Sequence, residues 1–224
     1  MSRYKNLLPA WLPPDRRAEA ELTLARILAG ENLLVETDDL LCLHSHHSPE
    51  LGQLAGLICG SLRASPEVRG AVLRHALISG KMHSPLAIWP RRDVLAWLEL
   101  ASPLTLMDDA ERATLAALPD PVEAWRGGRG VTPRQSAAGL SWTLDPERAR
   151  WFAARWPPGS ALVVRASFPK AAVLAYFGDS KERELVVNWR RARGLAILKN
   201  GGGPGIRLAK AKPTDGKTGG MSPS

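Results

Sequence analysis

Apolar residues in the first half of the chain recur every three or four positions, with Pro and Gly between the periodic segments. This spacing is typical of amphipathic helices. The predicted helices run from Pro14 to Gly30, Pro49 to Leu62, Ser65 to Ser79, Pro90 to Leu100 and Met107 to Leu118. Asp15 is the expected cap of the first helix, and Gly30 is its expected end. Residues 33–43 fit a strand and a helix equally well.

The pattern changes after Pro119-Asp120-Pro121 to short apolar runs bounded by Gly and Pro, which predict buried strands. The predicted strands are residues 122–125, 140–143, 161–168, 172–177, 185–188 and 195–198. One helix, capped by Asp145 and reaching about Trp156, separates the second strand from the third. The chain is therefore predicted to be α+β, with a mostly helical N-terminal part, residues 1–117, and a compact strand-rich domain, residues 118–200.

The chain from Gly201 to Ser224 consists mainly of Gly, Lys, Pro, Thr and Ser, with almost no apolar residues. Such a composition buries too little surface to offset the entropy of ordering. We expect residues 201–224 to be a disordered basic tail.

Composition restricts the class of protein. The chain has 224 residues, 45% of them hydrophobic and 23% charged, as in an ordinary globular protein of one or two small domains. No apolar run approaches the roughly 20 residues of a membrane helix, and the first residues lack a signal-peptide pattern. Cys42 and Cys59 form no disulfide framework. These features predict a cytoplasmic protein without a membrane segment.

Charge is distributed unevenly along the chain. Residues 1–120 hold 12 Lys/Arg against 15 Asp/Glu, a net charge of −3, whereas residues 121–224 hold 18 against 7, a net charge of +11. A basic second half favours an anionic partner such as a nucleotide or a nucleic acid. A solvated basic surface without a partner explains the charge equally well.

The segment HSHHSP at 44–49 raises the question of a metal site, because neutral imidazoles are common metal ligands. His44, His46 and His47 lie in it. No carboxylate or cysteine completes a recognised ligand spacing around them. The segment is better explained as a polar loop, and the sequence predicts no metal.

Three polar features lie on or beside the predicted strands. Arg126 stands in Trp-Arg-Gly-Gly, Ser141 and Thr143 flank Trp142, and Glu182 and Glu184 precede an apolar run. Residues two apart on a strand face the same side, so each pair shares one face. Polar groups that converge from distant parts of a chain are how a site is built on a sheet.

The order of these features resembles the ADP-ribosyltransferase family, in the branch with an arginine, a Ser-x-Ser/Thr strand and a Glu-x-Glu pair. The resemblance covers about residues 118–200. It implies a split-β-sheet ADP-ribosyltransferase-like domain with NAD as its substrate. It also implies a mono-ADP-ribosyltransferase, a glycosyltransferase that cleaves the nicotinamide–ribose bond and transfers ADP-ribose to a macromolecular acceptor.

The resemblance also implies residue roles. Glu184 would bind the ribose 2′-hydroxyl and stabilise positive charge at the reacting carbon, and Ser141 would orient it. Glu182 would engage the acceptor. The residues implied in NAD binding are Arg126, Gly127, Ser141 and Thr143. Arg126 would bind the NAD phosphate, and Gly127 would let NAD approach the backbone.

Other aromatic residues have more than one interpretation. Trp142 is expected in the core, on the face opposite Ser141 and Thr143. Tyr176 and Phe177 lie shortly before the glutamates, where an aromatic ring could stack on an acceptor or simply pack.

Several functional alternatives stay open. Glu-x-Glu in relatives usually accompanies protein arginine as acceptor, and the basic surface keeps a nucleic-acid acceptor open. A bacterial or phage toxin or effector, with an antitoxin or immunity partner, would fit. The related RNA 2′-phosphotransferases use a histidine, and residues 122–200 contain none. Two further hypotheses remain. The protein is either a non-catalytic nucleic-acid-binding protein or a degenerate transferase fold with a structural role.

Overall fold

The computed structural model describes residues 6–44, 49–79, 85–155, 161–178 and 183–199. The expectations for Glu182, for His46 and His47, and for the tail from Gly201 concern residues outside these ranges.

The N-terminal part is helical, as predicted. Its helices are α1 (Pro14–Ala29), α2 (Leu34–Cys42), α3 (Pro49–Gly60), α4 (Pro66–Ser79), α5 (Arg91–Leu100), α6 (Pro103–Leu106) and α7 (Asp109–Ala117), with a 3-10 turn at Pro85–Ile88. The ambiguous segment at 33–43 is helix α2. Gly30 ends α1 in the left-handed conformation, with φ of 106°. The predicted cap at Asp15 is wrong: Pro13 occupies the N-cap, and Asp15 lies in the first turn.

The second part is strand-rich. Its elements are β1 (Val122–Arg129), α8 (Pro133–Ala137), β2 (Ser141–Thr143), α9 (Pro146–Ala154), β3 (Ala161–Phe168), β4 (Val173–Phe177), β5 (Glu184–Val187) and β6 (Arg193–Lys199). The strands form one antiparallel sheet in the order β4-β5-β2-β1-β3-β6. The predicted α+β class with a helical N-terminal part is confirmed.

The sheet is split between β1 and β2. β1 pairs with β3 along its whole length, from Val122 opposite Phe168 to Arg129 opposite Ala161. It pairs with β2 only through Trp125 opposite Thr143. Two half-sheets, β4-β5-β2 and β1-β3-β6, therefore meet along a seam with a single backbone pair.

One hydrophobic core runs through both parts of the chain. It includes Leu24 and Ile27 of α1 as well as Trp142 and Phe168 of the sheet, and the last two rings meet edge to face at 5.0 Å between centroids. Residues on either side of position 118 thus share one apolar interior.

A buried carboxylate joins the helical part to the sheet. The Glu111 side chain is 3% exposed and forms an ion pair with Arg74 of α4. One Glu111 oxygen also accepts the Asp108 N–H at 3.0 Å in a capping box, and the other accepts the Gly178 N–H, just beyond β4, at 3.3 Å. Arg74 also lies over the Phe177 ring, 5.8 Å from its centroid. Glu111 therefore fixes the end of β4 against α4 and α7.

In the part of the chain that the structure describes, no helix combines the length and apolarity needed to cross a membrane.

Replacing Glu111 by Ala is expected to lower the free energy of unfolding by about 1–3 kcal/mol, because the N–H groups of Asp108 and Gly178 lose their acceptor. Arg74, which is 23% exposed, keeps Asp108 as an ion-pair partner. Asp109→Ala is the matched control: Asp109 pairs with Arg112 on the same helix, but its side chain is 96% exposed. Its loss should cost less than about 1 kcal/mol. Urea unfolding of both variants measures the difference. Equal losses of stability would show that Glu111 does not fix the end of β4 against α4 and α7.

Candidate functional site

Three neighbouring strands place the predicted site residues side by side. Trp125 of β1 lies opposite Thr143 of β2, and Thr143 lies opposite Glu184 of β5. Directly opposed residues of antiparallel strands project from the same face. Ser141, two residues before Thr143, shares that face as well. The structure thus brings Ser141, Thr143 and Glu184 together on one face beside the seam.

Arg126 approaches β2 from the other face of the sheet. It follows Trp125, so its Cβ projects from the opposite face of β1 to Glu184 on β5. Its guanidinium extends to β2, where Nη1 donates to the Ser141 carbonyl oxygen. The Leu140 carbonyl accepts from Val187 of β5, so the next carbonyl along, that of Ser141, faces the β1 side. The Arg126 side chain therefore takes the place of the backbone partner that β1 no longer supplies.

Gly139 makes room for this guanidinium. A Cβ built on Gly139 would lie 2.2 Å from Nε of Arg126 and 2.3 Å from its Cζ. Any larger residue at position 139 must displace the arginine, so the absence of a side chain there is a condition of the observed arrangement.

The electrostatic surroundings of Arg126 are unusual for an arginine. The pKa of Arg126 is lowered to about 10, mainly by burial and in addition by the neighbouring positive charge of Arg91, while the Glu184 carboxylate opposes the shift. Arg126 thus stays charged at neutral pH, at a cost in free energy that an additional anion would relieve.

Arg91 is a site residue that the sequence analysis missed. It begins α5 in the helical part, and its Nη1 donates to the Ala138 carbonyl at 3.1 Å and to the Gln135 carbonyl at 3.5 Å. These contacts hold its charge beside Arg126. No sequence signal marks it, because it belongs to an amphipathic helix far from the strand motifs.

Glu184 is half-buried at the first position of β5. Its backbone lies between Thr143 of β2 and Phe177 of β4, its paired residues on either side. The preceding residue, Arg183, has a positive φ of 45°, and its carbonyl accepts the Leu144 N–H at 3.1 Å. The backbone is therefore held on both sides of Glu184, which fixes the face of the sheet from which its Cβ projects.

Thr143 has a structural partner. It is buried, and its Oγ accepts the Asp145 N–H at 3.0 Å. Asp145 in turn caps α9, accepting the Glu147 N–H at 2.8 Å, which confirms the predicted cap. Thr143 thus orients the start of α9, whereas Ser141 is half-buried at the seam.

Gly127 lies against α9 rather than beside open space. A Cβ on Gly127 would lie 2.0 Å from the Ala149 carbonyl oxygen and 2.7 Å from the Ala153 nitrogen. The expected close approach to the backbone is therefore made here by the helix. Gly127 accounts for how tightly α9 packs on β1.

The aromatic residues near the glutamates pack in the core. Tyr176 is 7% exposed, Phe177 is 4% exposed and Trp142 is 2% exposed. Trp142 is in the core as predicted. The alternative in which Tyr176 or Phe177 stacks on an acceptor is wrong in this structure, because both rings are covered.

In comparisons with known proteins, no family model, curated protein or solved structure matches the chain.

Replacing Gly139 by Ala is expected to push the Arg126 guanidinium away from β2 and towards water. The pKa of Arg126 should then rise from about 10 towards its ordinary value, because burial is the main cause of its depression. Nitrogen-detected NMR of the arginine side chains measures both the shift in signal and the titration.

Gly60→Ala is the matched control, since a Cβ there meets nothing closer than 3.8 Å. It should leave the Arg126 signal unchanged. An unaltered Arg126 titration in Gly139→Ala would contradict the placement of the guanidinium beside Gly139.

Proposed function

We propose that this protein is an NAD-dependent mono-ADP-ribosyltransferase whose site lies at the seam between the two half-sheets. The observation that carries the proposal is that Ser141 and Glu184 share one face beside the seam, while the Arg126 guanidinium approaches the same strand from the other face, at the Ser141 carbonyl. These residues come from separate parts of the chain and are the ones that the family resemblance singles out.

Two neighbouring cations support NAD as the substrate. Arg91 and Arg126 lie close enough for Arg91 to lower the pKa of Arg126. A diphosphate bound near both guanidinium groups would relieve this repulsion and accept forked, charge-assisted hydrogen bonds. Because Arg126 and Glu184 leave their strands on opposite faces, NAD would have to lie along the seam to contact both.

The chemistry requires negative charge beside the reacting ribose. Cleavage of the N-glycosidic bond releases nicotinamide with the bonding electron pair and leaves oxocarbenium-like positive charge on the ribose. The acceptor nucleophile then forms a bond to the same carbon and loses a proton. Glu184, held by pairing on both sides, would stabilise this charge with little reorganisation, and Ser141 beside it would help to orient the carboxylate.

The acceptor belongs to the same proposal. Glu182 would engage it, and protein arginine is favoured over nucleic acid by the Glu-x-Glu pair. A toxin or effector acting in the cytoplasm, restrained by an antitoxin or immunity protein, is the biological setting that we propose.

Glu184→Gln is expected to lower both nicotinamide release and transfer, because glutamine keeps the shape of the side chain and removes its charge. Loss of one such electrostatic group typically costs about 10²–10³ in rate. Glu182→Gln is the matched variant, two residues away, and should spare nicotinamide release more than transfer. Incubation with labelled NAD and a cell lysate, with nicotinamide and labelled protein or RNA measured separately, tests both.

Nicotinamide release by Glu184→Gln at the parent rate would show that Glu184 is not the catalytic glutamate. Equal loss of both activities in both variants would contradict the division of roles but not the reaction. No NAD cleavage by the unaltered protein would overturn the proposed function.

A second candidate function, non-catalytic nucleic-acid binding, is favoured by one surface of α9. Trp151 is 43% exposed, and the guanidinium groups of Arg148 and Arg155 lie 4.2 and 4.7 Å from its ring centroid. An exposed indole beside two cations can stack on a base while the cations attract phosphate.

Fluorescence anisotropy with a single-stranded oligonucleotide tests this alternative. If α9 binds nucleic acid, Trp151→Ala should weaken binding about 5–150-fold, the usual effect of losing one stacking platform of about 1–3 kcal/mol. Trp11→Ala, which removes a 69% exposed indole in the helical part, should leave binding unchanged. Equal effects of the two substitutions, or no binding at all, would reject α9 as a nucleic-acid surface.

A further inference from the structure

Helices α2 and α4 bring an aspartate, a cysteine and a histidine together. Asp38 and Cys42 are four residues apart on α2 and therefore lie on one face of it. His75 lies on α4, which packs against α2. One potential ligand atom from each of the three residues lies within 4.8 Å of the others.

The donor set suits one class of ion. Thiolate, imidazole and carboxylate together are typical of Zn²⁺ and are unlike the all-oxygen sites of Mg²⁺ and Ca²⁺. On a tetrahedral zinc, neighbouring ligand atoms are about 3.3–3.6 Å apart. Asp38 and Cys42 are exposed, so rotation of their side chains can close the remaining distance.

A buried imidazole adjoins this group. His44 follows α2, is 6% exposed, and its Nε2 has no hydrogen-bond partner among the residues that the structure describes. It is close enough to His75 for the two rings to interact electrostatically. A water molecule on a bound metal would be a suitable partner for such a nitrogen.

We propose that Asp38, Cys42 and His75 bind one Zn²⁺ ion, with water completing its coordination. The proposal is independent of the transferase reaction. The ion would tie α2 to α4 at the residue next to Arg74, the partner of Glu111. The sequence pattern did not reveal the group, because its ligands come from two separate helices.

Titration of the full chain with Zn²⁺ against a competing chelator should show one ion bound per chain and a raised Tm. Co²⁺ should give a thiolate-to-cobalt charge-transfer band. Zn²⁺ should also slow alkylation of Cys42, which is exposed, whereas Cys59 is buried and should react little in either state.

Cys42→Ser should remove the cobalt band, and Asp38→Asn and His75→Gln should each weaken zinc binding at least about tenfold. The matched controls are Cys59→Ala, Asp39→Asn and the double variant His46→Gln/His47→Gln, all of which should keep the band. Because Asp38 and Cys42 are exposed, their variants should remain folded, which far-ultraviolet circular dichroism checks.

A cobalt complex without the charge-transfer band in the unaltered protein would overturn the proposal. So would a band that persists in Cys42→Ser, or zinc binding that depends on His46 and His47 but not on Cys42 and His75. Unchanged alkylation of Cys42 with saturating zinc would exclude this cysteine as a ligand even if a variant failed to fold.

Discussion

The position of the candidate site depends on a buried carboxylate outside it. Glu111 accepts the Asp108 N–H at the start of its own helix and pairs with Arg74 of α4. It also accepts the Gly178 N–H just beyond β4. A carboxylate with these partners is stable only if all of them stay in place. The end of β4 is consequently fixed to the helical part, and β5 with Glu184 pairs with β4. The helices thus support the strand that carries the candidate catalytic carboxylate.

The helical part also contributes charge to the site. Arg91 reaches the carbonyls around α8 and lies beside Arg126, so two positive charges from distant parts of the chain meet at the seam. Two like charges held close together disfavour each other's charged form, and an anion between them would relieve this repulsion. Near residue 118 the chain therefore changes from helices to strands, but the candidate site contains residues from both parts.

The helices and strands were largely predictable from sequence. The spacing of the apolar residues indicates which face of an element is buried, and Gly and Pro mark where elements end. β3 has the predicted bounds, and β1 extends four residues further because pairing with β3 continues through glycines that carry no apolar signal. The neighbourhood of Ser141 and Glu184 followed from strand ends. The positions of Arg91 beside Arg126 and of His75 beside Cys42 did not, since each depends on how separate elements pack in three dimensions. The role of Gly127 likewise became clear only once α9 was seen to cover it.

The single backbone pair at the seam has a mechanical consequence. Within each half-sheet, successive hydrogen bonds resist shear together, whereas between the halves the resistance rests on Trp125 opposite Thr143 and on the bond from Arg126 to the Ser141 carbonyl. One of these two ties is a side chain, and its strength varies with what else the guanidinium binds. An anion that draws Arg126 away from β2 would make the sheet more compliant along this line, so the stiffness of the sheet would respond to occupancy of the site.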